Sequence, residues 1–224
     1  MKNNKLPLKN TVFQKYRKFN GNEERVRSII GTKKLYAPKF THLNDYAEGI
    51  FYYPNSEKKD EIWDGILGMK NSYGICSFSC EDEPKFNPLL WAHYADESKG
   101  IMINFTLGEE IWEEHEQYIL KEIEYGNGYP FYDENKSYEE NAVNIMVQKN
   151  EAWSYEKEYR VFVRDGSYVP IEIKSVVLGF RFGKKDKENW MRDKSFSDEA
   201  KKFISLLKEN KIEYKFATEY YNNI

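Results

Sequence analysis

The chain has 224 residues, and its 34 Lys and Arg side chains nearly balance 37 Asp and Glu side chains, for a formal net charge of -3. This length predicts a single domain over residues 1–224, and the near balance of charge argues against a bulk basic surface for nucleic acid. The 18 Tyr, 14 Phe and 5 Trp residues predict a core rich in rings, with tyrosine hydroxyls at its edge or along a cleft.

Features that the sequence lacks predict the cell compartment of the protein and the state of its two cysteines. No stretch approaches the roughly 20 apolar residues of a membrane span, and no apolar segment follows the polar opening residues. We therefore expect a soluble, cytoplasmic protein without a membrane partner. Cys76 and Cys80 are too few for a zinc cage or a disulfide framework, so both are expected to be free thiols and no metal site is expected.

The first half of the chain predicts short elements around one long loop. Residues 1–10 are polar and expected to be loosely ordered. Glycine and asparagine turn signals and the apolar spacing then predict a strand at 11–19, a helix from Glu23 to Ile30, a strand at 35–37, an ordered loop at 39–61 and a strand at 73–80.

The second half alternates strands and helices irregularly. Periodicity predicts a short helix or turn at 88–94 and helices at 107–116 and 138–153. It predicts strands at 100–105, 118–125, 158–163 and 171–180, and a C-terminal region, 197–224, with a helix at 197–210 and a strand at 212–217. This order favours an α+β fold with mixed, mainly antiparallel sheets around a central cleft and flanking helices.

Two carboxylates in the segment Trp153–Arg160 are candidates for catalysis. In an extended chain Glu156 and Glu158 share a face and stand roughly 7 Å apart. One carboxylate could then polarise a nucleophile or hold a ribose hydroxyl while the other orients an acceptor. The alternative is an edge strand whose acids pair with Lys157 and Arg160 or face water.

Two further groups of polar residues lie on predicted strands. Arg17 has a planar guanidinium that suits a bidentate phosphate contact, or it is one of several surface basic residues. Ser77 and Ser79 share a strand face, where they bind a ligand or hydrogen-bond a neighbouring strand.

The histidines and the long loop leave alternatives open. His93 lies between aromatic residues and is either a base or a packed, hydrogen-bonded side chain. Asp45, with Asn44 and Glu48, forms either a loop-bound carboxylate cluster or an ordinary Asx turn.

The order of these motifs resembles a large bacterial and archaeal family of domains of unknown function, over about residues 14–180. The motifs that carry the resemblance are Tyr16-Arg17, the loop Leu43–Glu48, Cys76-Ser77-Phe78-Ser79, Trp91-Ala92-His93-Tyr94-Ala95 with Gly100-Ile101, and Trp153–Arg160. The loop departs from the family pattern, because Tyr46-Ala47 replaces Pro-Phe.

The order of Arg17, Ser77-x-Ser79 and Glu156-x-Glu158 is also similar to the signature of ADP-ribosyltransferases. This resemblance implies an ADP-ribosyltransferase-like fold, with NAD as substrate and no metal ion. It implies that Arg17 binds the pyrophosphate, Ser77 braces the nicotinamide-ribose pocket and Ser79 supports its strand. Glu158 would then hold the ribose 2′-hydroxyl and stabilise the oxocarbenium-like transition state, and Glu156 would orient or deprotonate the acceptor.

The predicted site therefore comprises catalytic and NAD-binding residues. The catalytic set is Glu158, Glu156 and His93, and the NAD-binding set is Arg17, Ser77, Ser79, Tyr94, Asp45 and Arg160, with His93 and Tyr94 as candidates for an aromatic wall.

The function predicted from these residues is cleavage of the nicotinamide-ribose bond, with ADP-ribose passing to a protein or nucleic acid or to water, as in a toxin or phage-defence effector. One alternative is a nuclease in which Asp45, Glu156 and Glu158 hold Mg²⁺ and Lys157 or Arg160 lies near the scissile phosphate. Another is a non-catalytic sensor that binds a nucleotide or peptide. The oligomeric state is left open.

Overall fold

The fold is α+β, with a mainly antiparallel eight-stranded sheet, as the irregular alternation of elements predicts. A computed structural model describes residues 9–43, 45, 47–53, 57–80, 85–184 and 195–221. These residues form two compact units. Unit 1 comprises the described parts of 36–77 and 109–169, and unit 2 comprises those of 9–35, 78–108 and 170–221.

The elements are numbered in chain order. The strands are β1 (Phe13–Arg17), β2 (Lys34–Tyr36), β3 (Tyr73–Ser79), β4 (Ile101–Leu107), β5 (Tyr118–Glu122), β6 (Glu124–Gly126), β7 (Gln148–Asn150), β8 (Glu158–Arg164), β9 (Tyr168–Leu178) and β10 (Glu213–Phe216). The α-helices are α1 (Glu23–Thr32), α2 (Lys59–Ser72), α3 (Pro88–Tyr94), α4 (Glu110–Glu113), α5 (Tyr138–Met146), α6 (Asp198–Glu209) and α7 (Ala217–Tyr220), and 3₁₀ helices cover Phe40–His42 and Glu151–Glu156.

Unit 2 contains the strand order β10-β9-β4-β1, and Ser79 at the end of β3 lies opposite Gln14 of β1. The β9–β10 pair is parallel, whereas β4 is antiparallel to both β1 and β9. All seven residues of β4 are buried, which identifies it as a central strand. Its core includes Phe13, Phe78 and Phe105, whose ring centroids lie 4.8–6.0 Å apart.

Unit 1 contains the strand order β3-β8-β5 and a second, parallel pair formed by β6 and β7. Its core packs α5 against β3 and β8 through apolar side chains, namely Tyr73, Ile75, Ile123, Ala142, Val143, Met146, Val147 and Phe162. Helix α5 begins with a capping box between Ser137 and Glu140, which satisfies backbone donors at its first turn. This arrangement places β7 and β8 at the end of α5.

Several predicted elements are confirmed, and four are wrong in extent. The predicted strand 118–125 is divided at residue 123 into β5 and β6, which belong to different sheets. The strands at 73–79 and 158–164 and the helices at 88–94 and 198–209 match the predictions closely. The predicted helix 138–153 ends at Met146, because residues 148–150 pair with β6 instead. The predicted loop 39–61 contains a 3₁₀ helix and the start of α2, and the acidic helix is reduced to Glu110–Glu113.

The cysteine prediction is confirmed, because neither Cys76 nor Cys80 is part of a disulfide bond. Within the described ranges, the helices are too short or too polar for any of them to cross a bilayer.

Two glycines provide a matched test of close backbone approach in unit 2. A Cβ at Gly100 would lie 2.1 Å from the Arg17 carbonyl oxygen and 3.0 Å from that of Ala95, whereas a Cβ at Gly31 of α1 meets nothing within 4 Å. We expect Gly100→Ala to lower the free energy of unfolding by about 2–3 kcal/mol. Gly31→Ala should raise it by about 0.5–1 kcal/mol, because alanine restricts the unfolded chain. Urea unfolding measures both, and equal effects would contradict the packing at Gly100.

Candidate functional site

Five buried charged side chains meet at one end of α5 and β8 in unit 1. We call Glu48, Lys149, Glu156, Glu158 and Arg160 the charge cluster. Each of these side chains is at most 5% exposed. They come from the loop before α2, from β7, from the end of a 3₁₀ helix and from β8, so folding brings together residues far apart in sequence.

Lys149 is the common partner of the carboxylates. Its Nζ lies 2.7 Å from Glu156 Oε2, 2.8 Å from Glu158 Oε2 and 3.3 Å from Glu48 Oε1. The same ammonium lies 4.9 Å from the ring centroid of Trp153, a cation–π contact. Three carboxylates and an indole therefore surround one ammonium group.

Arg160 is the second cation of the cluster. Its Nε donates to Glu158 Oε1 at 2.7 Å, and its Nη2 lies 2.9 Å from Glu48 Oε2. Its Nη1 donates to the Met146 carbonyl oxygen at 2.6 Å, which satisfies one of the free carbonyls at the end of α5. Arg160 thus connects the carboxylates to the helix that packs on the sheet.

The extended conformation expected between Glu156 and Glu158 is wrong. The chain between them is not extended, because Glu156 ends a 3₁₀ helix and Lys157 adopts a left-handed conformation with φ 43°. The two carboxylates nevertheless converge, since both accept hydrogen bonds from Lys149. Arg160 pairs with Glu158, as expected if the acidic residues have a structural role. Lys149 and Glu48 are the remaining members of the charge cluster.

The loop that carries Glu48 is held by two local interactions. Asp45 Oδ1 accepts a hydrogen bond from the Ala47 backbone N–H at 2.9 Å, which confirms the Asx turn. Gly49 has φ +81°, a conformation that favours glycine, and its carbonyl oxygen accepts from Lys70 Nζ. Burial lowers the pKa of Lys70 to about 8.

Electrostatic pairing dominates the ionisation of the cluster. Burial opposes the charge of Glu158, but Arg160 and Lys149 outweigh it and hold the pKa of Glu158 below its usual range. Burial likewise favours the neutral amine of Lys149, but Glu158, Glu48 and Glu156 outweigh it and raise the pKa of Lys149. The shifts agree in direction, so Glu158 and Lys149 are both charged near neutral pH.

A cavity of about 460 Å³ opens beside the cluster. Its lining combines acidic, aromatic and amide side chains with backbone of the turn at 127–130, and the lining residues that matter for chemistry are Asp45, Glu48, Tyr52, Asn127, Tyr129, Gln148, Lys149, Asn150 and Trp153. Glu156 and Glu158 are not among the residues that line it. The volume lies in the range typical of sites for small molecules.

Five predicted site residues lie in unit 1, and four lie in unit 2. Asp45, Ser77, Glu156, Glu158 and Arg160 belong to unit 1, and all but Ser77 lie in the charge cluster or line the cavity. Arg17, Ser79, His93 and Tyr94 belong to unit 2. Their proposed joint role stays a prediction.

The unit 2 residues have distinct surroundings. Ser79 is buried opposite Gln14, which in turn lies opposite Asn104, so that a row of polar side chains crosses three strands. Arg17 is half-buried at the end of β1. His93 is exposed, and its ring centroid lies 6.4 Å from that of the half-buried Tyr94.

Sequence reasoning missed Lys149, which is the centre of the cluster. Residue 149 follows Ala142 and Met146 at roughly helical spacing, in a stripe of otherwise apolar side chains. A lysine on such a stripe is expected to be buried with a partner, since an unpaired buried ammonium is costly. That misplaced charge is the signal that could have revealed the cluster.

Among the described residues, no group of three or more His, Cys, Asp and Glu side chains is arranged to hold a metal ion. The carboxylates that the nuclease hypothesis assigns to Mg²⁺ include Glu156 and Glu158, and these share the ammonium of Lys149.

Comparison with known proteins finds one family model that matches part of the chain. Residues 90–161 match the family described as "Protein of unknown function (DUF2971)". The matched region contains both specific motifs of the resemblance, Trp91–Ala95 and Trp153–Arg160, whereas Tyr16-Arg17, the Asn44-Asp45 loop and Ser77 lie outside it. No curated protein and no solved structure matches the chain.

Replacement of Lys149 should show how much stability the protein loses when the carboxylates of the charge cluster lose their shared cation. We expect Lys149→Met to lower the free energy of unfolding by about 3–5 kcal/mol, because it leaves buried carboxylates without their shared cation. Lys174→Met is the matched control, since Lys174 is 47% exposed and pairs with Glu172 at 2.9 Å; it should cost at most about 1 kcal/mol. Urea unfolding at neutral pH measures both, and equal costs would show that Lys149 is not essential to the cluster.

The lowered pKa of Glu158 also predicts a pH dependence. Because this pKa is lower in the folded state than in the unfolded chain, the pairing stabilises the protein fully above about pH 4.3 and less as the pH falls. Protonated carboxyls need no cation, so the difference in stability between wild type and Lys149→Met should narrow as the pH falls from about 4.3 to about 2. Unfolding titrations across this range provide the measurement. A difference that is constant with pH would mean that the pairing is not electrostatic.

Proposed function

We propose that the protein is an enzyme that uses NAD and cleaves the bond between nicotinamide and ribose, with the cavity of unit 1 as the site for the nicotinamide end. The observation that carries the proposal is the acidic, ring-lined cavity beside the charge cluster. The similarity of the sequence to the ADP-ribosyltransferase signature adds to it, and a fold of that type is part of the proposal.

The aromatic side chains of the cavity suit a planar ligand. Tyr52, Tyr129 and Trp153 line it, and the centroids of Tyr52 and Tyr129 lie 5.7 Å apart in an edge-to-face arrangement. Tyr52 is 50% and Tyr129 38% exposed, so both rings retain surface on which a ligand can stack. The amide side chains of Asn127 and Gln148 are of a type that hydrogen-bonds the carboxamide of nicotinamide.

The charge of the cavity favours a cationic ring over a phosphate. Asp45 and Glu48 line it, and Lys149, its one cationic lining residue among those described, is already shared by three carboxylates. The cluster itself has three carboxylates and two cations, a formal charge of -1. The oxidised nicotinamide ring is positively charged, so this field attracts it. The pyrophosphate would lie outside the cavity.

The same field assists bond cleavage. When the C1′–N bond breaks, its electron pair leaves with nicotinamide and positive charge develops on the ribose. Fixed carboxylates stabilise such charge in the transition state. An oxygen of water or of an acceptor then bonds to C1′ and loses its proton, giving hydrolysis or ADP-ribose transfer to a macromolecule.

The geometry changes the roles that the sequence suggests for the acidic residues. Glu48 is the cluster carboxylate whose residue lines the cavity, and both of its carboxylate oxygens are buried, so we assign it the stabilisation of positive charge on the ribose through the cavity wall rather than a direct contact. Glu156 and Glu158 do not line the cavity, and both accept hydrogen bonds from Lys149. We assign them the role of holding the Lys149 ammonium in place, and Glu158 also that of holding Arg160. The roles that the sequence suggests for Arg17, Ser77, Ser79, His93 and Tyr94 stay predictions.

Ligand charge offers a test that leaves the protein unchanged. NAD should bind at least about tenfold more tightly than NADH, because reduction removes the ring's positive charge and leaves the adenosine end intact. Isothermal titration measures both affinities, and chromatography measures nicotinamide release from NAD. Equal affinities would contradict the assignment of the nicotinamide end to this cavity.

Variants separate chemistry from binding. Glu48→Gln should slow nicotinamide release by about 100-fold or more, since it removes the charge and keeps the shape. Glu134→Gln is the control, because Glu134 is exposed and does not line the cavity; its release rate should equal that of wild type. If the protein binds NAD more tightly than NADH but releases no nicotinamide, the proposed enzyme activity is wrong and the protein is a non-catalytic nucleotide-binding module.

A further inference from the structure

A second cavity of unit 1 follows the outer edge of β5. It measures about 450 Å³, and all five residues of β5, Tyr118–Glu122, line it. Side chains of a strand alternate between its two faces, so a cavity that contacts five consecutive residues must run along the strand's edge. We call this cavity the edge groove. In the described part of the sheet, β5 is the terminal strand on this side.

The pairing of β5 with β8 leaves backbone groups directed toward the groove. The Ile123 N–H donates to the Glu158 carbonyl oxygen and the Arg164 N–H donates to that of Gln117, both at 2.9 Å. In an antiparallel pair the hydrogen-bonded positions alternate, so Ile119 and Lys121 also bond to β8. The N–H and C=O groups of Leu120 and Glu122 therefore point to the outer edge.

Apolar side chains and one unsatisfied donor border this edge. Ile111 and Trp112 of the α4 region, Leu120 of β5 and Val147 after α5 line the groove. The indole N–H of Trp112 is buried and has no hydrogen-bond acceptor among the described residues. A buried donor without an acceptor costs free energy that an incoming carbonyl group would recover.

The charges around the edge are mostly negative. Glu122 and Glu124 line the groove, and Glu113, Glu114 and Glu116 line an adjoining cavity of about 800 Å³. The cations that line the two cavities are Lys121 and Arg164, and Arg164 is paired with Glu139. An extended segment with basic side chains complements this charge.

We infer that the edge groove binds an extended, basic peptide segment of a partner protein, which adds a strand to β5. The peptide backbone would exchange hydrogen bonds with Leu120 and Glu122, as in other cases of strand addition to a sheet edge. Leu120 and Glu122 share a face of β5, so apolar side chains of the peptide would pack beside Trp112 and Leu120, and basic side chains two positions along the peptide would lie beside Glu122. This inference does not depend on the use of NAD.

Peptide probes test the backbone contacts. The first probe is a capped peptide of about ten residues that repeats valine-valine-lysine-lysine, so that apolar and basic side chains follow each other on each face; this length is at the upper end of ordinary strands. The second has the same sequence with alternate backbone nitrogens methylated, which removes the N–H groups that face the sheet. The third replaces lysine by glutamate. Isothermal titration should show binding of the first probe and at least about tenfold weaker binding of the other two.

Hydrogen exchange locates the bound probe. The first peptide should protect the amides of Leu120 and Glu122, whereas the amides of Ile119 and Lys121, already bonded to β8, should change little. Trp112→Phe keeps the ring and removes the donor, so it should weaken binding by about fivefold. Glu122→Lys with Glu124→Lys should weaken it by at least about tenfold, and Glu134→Lys, the same charge change at an exposed residue away from the groove, should not.

Three outcomes would overturn the inference. Equal affinities for the first and the methylated peptide would mean that the peptide backbone does not hydrogen-bond to β5. Hydrogen-exchange protection confined to amides outside β5 would mean that the peptide binds elsewhere. Protection of Leu120 and Glu122 that rises with protein concentration, without any peptide, would assign the edge to a second copy of this chain. NAD binding and nicotinamide release should be the same with and without the peptide probes, so failure of either proposal can be recognised separately.

Discussion

The sharing of one ammonium among three carboxylates is the constraint around which unit 1 is built. Lys149 is buried, and it can stay charged only because Glu156, Glu158 and Glu48 lie within 3.3 Å of its Nζ. These partners come from two separate segments of chain, the loop that carries Glu48 and the stretch that carries Glu156 and Glu158. Each segment therefore has one conformation in which its charge is satisfied, which explains why a left-handed Lys157 is maintained between Glu156 and Glu158.

The cluster also sets the chemistry of the cavity beside it. The cations are fully used by the carboxylates, since Lys149 contacts three of them and Arg160 contacts Glu158, Glu48 and the Met146 carbonyl. A ligand in the cavity consequently meets aromatic faces and excess negative charge rather than a free ammonium. This is why the geometry favours a planar cation over a phosphate, even though a lysine lies in the wall.

Local patterns predicted most strands and helices, because alternation and helical spacing depend on neighbouring residues. They located β4, β8 and α6 within one or two residues. They fail where a residue distant in sequence determines the structure. Helical spacing assigns Lys149 to the predicted helix, yet residues 148–150 pair with β6. The ammonium of Lys149 pairs with Glu48, about a hundred residues away in sequence. The Glu-x-Glu motif and Arg160 lie in the charge cluster. The cavity could not be predicted, because Tyr52 and Tyr129 come from separate loops.

The register of β8 connects the cluster to the edge strand. Arg160 lies opposite Lys121 of β5, and the Glu158 carbonyl oxygen accepts the Ile123 N–H. A slip of one residue would turn Glu158 and Arg160 to the opposite face of the sheet and separate them from Lys149 and Glu48. Leaving those charges buried and unpaired costs more than several ordinary backbone hydrogen bonds contribute. The cluster therefore fixes the alignment of β5 on β8, and with it which backbone groups of β5 face outward.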